Sequence, residues 1–196
     1  MKLYVMRHGP AEEQAASGLD GDRALTSAGR ERVRNVAKAL SLAGEEPARI
    51  VTSPLVRAVQ TAEIVAIVTK LGERDGSVEV RREMAPGGDG AELAHRLAAE
   101  GAKRVMVVGH EPDLSAMLVA LLGSFSRPFD KAMVVALHPL ASAEGATTHR
   151  RARSFAGDGP RKPRDEESPD HLSSGVDAGK LRFILDPKTL KFHPNA

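Results

Sequence analysis

The sequence contains no cysteine, which removes disulfide scaffolds, thiolate-held zinc, iron–sulfur clusters and thiol nucleophiles together. Aromatic residues are almost as scarce, with one Tyr, five Phe and no Trp among 196 residues. A base-stacking surface for single-stranded nucleic acid is therefore poorly supplied, and a core has to come from Leu, Val, Ile, Ala and Met. An excess of one charge is missing as well. Twenty-eight Lys and Arg against 26 Asp and Glu leave a net charge of +2, too balanced for a protein that coats DNA. No apolar run is long enough to cross a bilayer, and the run at the N-terminus is too short for a signal-peptide core. These absences lead to the expectation of a soluble cytoplasmic protein without a membrane or nucleic-acid partner.

What is present suffices for a packed core: 41% of residues are hydrophobic and 28% charged, in a length that suits one domain spanning residues 1–196. Short apolar runs predict strands at Lys2–Met6, Arg49–Thr52, Val78–Arg81, Arg104–Gly109, Met133–Leu137 and Leu181–Leu185. Helical periodicity fills the gaps at Ala28–Leu42, Pro54–Leu71, Ala91–Glu100 and Asp113–Leu122. The second of these is apolar on most sides, which predicts burial on more than one face. Ser53 reads as its cap and Pro54 as its first helical residue. Strand and helix alternating in this way predict an α/β fold, a three-layer α/β/α sandwich around a mostly parallel sheet of about six strands.

The stretch at about 141–179 breaks the pattern. Residues 150–164 carry six basic residues and one acid, and residues 165–178 carry five acids and no base. Phe155, Leu172 and Val176 are its only large apolar residues, too few to offset the entropy of ordering it. It reads as a disordered insertion between the last two strands.

Three chemically loaded sites follow predicted strands: Arg7-His8-Gly9, Ser53-Pro54-Leu55-Val56-Arg57, and Gly109-His110-Glu111-Pro112. Ligands of open α/β sheets bind outside the carboxyl ends of the strands. If these strands are neighbours, two arginines and two histidines converge with helix N-termini. That set suits a tetrahedral oxyanion, because guanidinium groups fork onto its oxygens and helix N–H groups add positive potential. A histidine among them serves as nucleophile or as donor to a non-bridging oxygen. No cofactor is implied. A metal site on His8 and His110 is disfavoured, since neither belongs to a spaced ligand pair.

Here the chain resembles the histidine phosphatase superfamily, the phosphoglycerate mutase-like fold, and most nearly its small SixA-type phosphohistidine phosphatases. The resemblance rests on Arg7-His8-Gly9, Leu25-Thr26-Ser27-Ala28-Gly29, the block from Ser53 to Ala62 (Ser-Pro-x-x-Arg-Ala-x-x-Thr-Ala), Pro86-Gly87-Gly88-Asp89, and Gly109-His110-Glu111-Pro112. It covers residues 1–140 and 180–190. It implies a metal-independent hydrolase in which His8 attacks phosphorus and forms a phosphohistidine that water then hydrolyses. Arg7, Arg57 and His110 would bind the phosphoryl oxygens. The implied partner is a phosphohistidine-bearing protein, such as a phosphotransfer domain, with inorganic phosphate as product. Glu83 stands near the place of the family's acidic residue and is the candidate general acid, with Asp20 and Asp22 as competitors. Two further readings remain open from the residues: a phosphatase of small phosphate esters, and a phosphate- or phosphoprotein-binding module without catalysis.

Overall fold

The computed structural model describes residues 1–139 and 179–194. In chain order its main elements are β1 (Lys2–Arg7), α1 (Ser27–Leu42), β2 (Arg49–Thr52), α2 (Val56–Val68), β3 (Ser77–Val80), α3 (Gly90–Ala99), β4 (Arg104–Gly109), α4 (Asp113–Leu122), β5 (Val134–His138), β6 (Lys180–Leu185) and β7 (Phe192–Pro194). Side chains alternate across a strand, and β1 shows what that does here. Tyr4 and Met6 join Ile50, Met106 and Val108 beneath α1 and α2. Leu3 and Val5 join Val51, Val105 and Val107 beneath α3 and α4. Both faces of the sheet are thus covered, which is why its central strands read as continuous apolar runs. The expected three-layer α/β/α sandwich is present.

The sheet has the order β3-β2-β4-β1-β5-β6-β7. Strands β3, β2, β4 and β1 are parallel, whereas β5, β6 and β7 pair antiparallel. The sheet therefore has seven strands against the expected six or so, and its parallel part is its first four. Strand β7 is only three residues long and ends in proline, so it left no alternation to read. The reversal at β5 has a plain cause. Helix α4 returns the chain from the carboxyl edge, and the helix-free link from 123 to 133 carries it back there, so β5 starts at that edge.

Helix α1 starts where its side chains dictate. Thr26 Oγ1 accepts the Gly29 N–H at 3.0 Å, which satisfies one of the first-turn donors. Gly29 is required because a Cβ there would run into the Pro10 carbonyl, so the chain leaving β1 lies directly on this turn. Helix α2 corrects two expectations. It begins at Val56 rather than Pro54, and Ser53 is not its cap: Leu55 holds that position, and Ser53 Oγ accepts the Leu55 N–H at 3.3 Å. It is also buried along one face only, through Arg57, Ala58, Thr61, Ala62 and Val65, leaving Ile67 76% exposed. The insertion expected at 141–179 lies outside the described residues except for Gly179, whose N–H donates to the Leu121 carbonyl at 2.8 Å. Among the described residues no helix is long and apolar enough to cross a membrane.

Candidate active site

Strands β1 and β4 are neighbours in register, with Arg7 opposite Gly109. Each delivers its next residue to the same carboxyl edge, so His8 and His110 stand side by side. Their ring centroids are 5.1 Å apart and the planes are tilted by 50°. The His8 N–H donates to the Gly109 carbonyl at 3.2 Å and fixes the relative height of the two. Strand β2 ends beside β4: the Ser53 N–H donates to the Val108 carbonyl at 3.0 Å, and Ser53 Oγ lies 2.7 Å from His110 Nε2. Three segments far apart in sequence therefore meet at one edge.

His8 is held in one tautomer. Its Nδ1 lies 2.7 Å from the Gly9 carbonyl oxygen. A carbonyl only accepts, so Nδ1 carries the proton and Nε2 keeps a free lone pair. Burial pushes its pKa from 6.5 down to about 3, with His110, Arg57 and Arg7 pushing the same way and the Gly9 carbonyl opposing. His110 is lowered to about 4, first by burial and then by Arg57. Both imidazoles are consequently neutral at neutral pH.

Two guanidinium groups flank them. Arg57 sits in the first turn of α2 and is 5% exposed. Its Nη1 donates to the Asp20 carbonyl at 2.8 Å and its Nη2 to Asp20 Oδ2 at 3.0 Å. Arg7 donates through Nη1 to the Phe129 carbonyl at 2.6 Å. The Nε atoms of both arginines are buried and unpartnered among the described residues. One turn beyond Arg57, Thr61 Oγ1 donates to the Arg57 carbonyl at 2.7 Å and accepts the Gly9 N–H at 3.1 Å. That hydroxyl ties the turn after His8 to the helix that carries Arg57. From the other side, Ala132 adopts a left-handed conformation (φ 68°), and its N–H is shared between the Arg7 and His8 carbonyls at 3.1 Å each.

The carboxylates divide by position. Asp20, in a 3-10 turn spanning Asp20–Asp22, is held below the usual carboxylate range, first by its hydrogen bond from Arg57. Arg23 Nε stands 2.8 Å from its other oxygen. Asp22 accepts from Ser17 Oγ at 2.7 Å and, among the described residues, bonds neither Arg7 nor Arg57. Glu83 lies in the turn Arg82–Met84 after β3, where it helps line a small cavity with His110, Gly88 and Asp113. Its Oε1 is 2.6 Å from Arg96 Nη2 on α3. The structure thus places Arg7, His8, Arg57 and His110 together, Asp20 directly on Arg57, and Glu83 at a small cavity that His110 also lines.

Two supporting residues went unrecognised in the sequence. Ser53 reads as a helix cap but turns towards His110, and Thr61 carries no assigned role. The signal for Thr61 was available, because it follows Arg57 by four residues and so shares its helix face. Nothing in the sequence marked Phe129 or Ala132. Their contribution comes from the path of the link to β5.

The chain is similar to known proteins. The model of the histidine phosphatase superfamily (branch 1) matches residues 3–84. The phosphohistidine phosphatase SixA of Escherichia coli is 38% identical over 125 residues, which cover 62% of this chain and 74% of that protein. An uncharacterized protein of Picosynechococcus is 44% identical over 117 residues, covering 58% of this chain and 68% of its own length. Among solved structures, the protein histidine phosphatase SixA complexed with tungstate superposes with a TM-score of 0.72 at 25% identity, covering 97% of this chain and all of that one. The motif at the end of β1, the arginine on α2 and the overall match agree, and the chain belongs to the histidine phosphatase superfamily.

Proposed function

We propose that this protein removes the phosphoryl group from phosphohistidine on a protein, through a phosphohistidine formed on its own His8. The observation that carries this reading is the Gly9 carbonyl on His8 Nδ1, which leaves Nε2 as an uncharged, outward lone pair beside two arginines. In the first step Nε2 bonds to phosphorus as the bond from phosphorus to the substrate imidazole breaks, and that imidazole takes up a proton. Water then attacks phosphorus, the bond to His8 breaks, and inorganic phosphate leaves. Arg7, Arg57 and His110 hold the three equatorial oxygens, where charge gathers in the transition state.

The nature of the acid favours a P–N substrate. Glu83 is the proposed proton donor, yet its Oε1 is engaged with Arg96. A free imidazole has a pKa of about 6.5 and leaves far more readily than an alkoxide, so a poorly placed acid suffices. The likeness to E. coli SixA, named as a phosphohistidine phosphatase, supports the same class. The test is a quench during turnover on a phosphohistidine protein. Phosphate on His8 that is labile to acid and stable to alkali is the expected result. Turnover without it removes the covalent route, and turnover confined to sugar phosphates removes the substrate class.

A further inference from the structure

His110 raises a question that His8 does not. Its Nε2 faces a hydroxyl, which can donate or accept, so distance alone leaves its tautomer open. The surroundings of that hydroxyl decide it. Ser53 is wholly buried, and its Oγ already accepts the Leu55 N–H at 3.3 Å. Its own proton needs an acceptor, and among the described residues the one within reach is His110 Nε2. If Nε2 instead carried the proton, the Ser53 proton would be buried without a partner, an arrangement that folded proteins avoid. His110 Nδ1 is buried and unpartnered.

From this we infer that Ser53 is a positioning residue that donates to His110 Nε2 and thereby sets the proton on Nδ1, where it serves as the donor to a phosphoryl oxygen. The opposite tautomer would present a lone pair to an anion. The inference rests on the phosphatase reading for its last step, since a donor is useful only if an oxyanion sits there. Its central claim, the tautomer, concerns the resting protein alone. Because burial keeps His110 neutral near pH 7, one of its two nitrogens must lack a proton and the choice matters.

The experiment is long-range proton–nitrogen NMR on the full chain near pH 7 without substrate, with His110 assigned by its loss in His110→Gln. Nδ1 should show the shift of a protonated ring nitrogen and Nε2 that of a bare one. In Ser53→Ala the two forms should mix, with kcat/KM on a phosphohistidine protein reduced by about tenfold or more. Ser53→Thr should restore both the tautomer and the rate. A wild-type His110 protonated on Nε2 overturns the inference, as does a Ser53→Ala protein whose His110 keeps the same single tautomer. Should Ser53→Ala fail to fold, the wild-type spectrum alone decides. Since the spectra are recorded without substrate, the outcome for the tautomer is separate from the fate of the phosphohistidine reading.

Discussion

Thr61 and Gly9 are joined by one hydrogen bond, 3.1 Å long, that spans 52 positions of sequence and locks the turn behind His8 to α2. The same hydroxyl donates to the Arg57 carbonyl, so a single atom references His8 and Arg57 to each other. Thr61→Val keeps the shape and removes both bonds, leaving the Gly9 N–H buried and unpaired. The expected loss is about 1–3 kcal/mol of stability, readable in urea unfolding, together with a lower kcat. Thr61→Ser should lose little of either, and a Thr61→Val protein as stable and active as the parent would contradict this role.

Acid should weaken the fold before its carboxylates titrate. His8 and His110 are lowered to about 3 and about 4, so the unfolded chain binds their protons first. Their stabilising contribution is complete above about pH 6.5 and is lost as pH falls towards the folded values, at up to ~1.4 kcal/mol per pH unit for each. Between about pH 6.5 and 5 these histidines should dominate the slope. Urea midpoints measured across that window should fall with decreasing pH, and the slope should flatten in His8→Gln/His110→Gln.

Replacing the proposed nucleophile should separate chemistry from binding. His8→Ala is expected to abolish turnover while inorganic phosphate still binds, because Arg7, Arg57 and His110 remain. Arg57→Ala should lower kcat/KM by about 10²–10³-fold and weaken phosphate binding as well. Calorimetry with phosphate distinguishes the two. Loss of phosphate binding in His8→Ala alone would mean that the imidazole, and not the arginines, holds the anion.

On the proposed reading, Asp20 competes with substrate for Arg57. Its carbonyl keeps the guanidinium oriented, whereas its carboxylate adds negative charge at the proposed anion site. Asp20→Asn retains the backbone contact and an acceptor for Arg57 but removes the charge. Phosphate should then inhibit several-fold more tightly at low salt, with the difference shrinking at high salt because Asp20 is exposed. Unchanged or weaker inhibition would show that the carboxylate does not oppose the anion.

Glu83→Gln should distinguish substrate classes. On phosphohistidine the rate should fall by less than about tenfold, and on an alkyl phosphate by clearly more, because the imidazole ring can take its proton from solvent near neutral pH, whereas an alkoxide needs a placed acid. Equal losses on both would remove leaving-group chemistry as the reason for the acid's placement.

The parts of this architecture that were legible in the sequence are those fixed by short-range rules. Buried strands such as Arg104–Gly109 announce themselves as apolar runs, and residues that follow a parallel strand fall at its carboxyl edge. Arg7, His8, Arg57 and His110 could therefore be placed at one edge before any coordinates. Ser53 was misread because a serine before proline has two local uses, capping and side-chain bonding, and only the position of His110 decides between them. The one-sided burial of α2 depends on where the edge of the sheet lies, which no periodicity encodes. Antiparallel β5 was obscure for a similar reason, since a helix-free link of eleven residues determines it from outside the strand.

The pairing of β1 with β4 has a consequence for how the molecule comes into being. His8 finds its neighbour His110 about a hundred positions downstream, so on the proposed reading the most motif-rich stretch of the chain should be inactive when it first emerges. A truncated product ending near Met84 would carry His8 and Arg57 but neither His110 nor the strand that levels it. Activity should therefore arrive late and all at once during synthesis, when the sheet's middle closes.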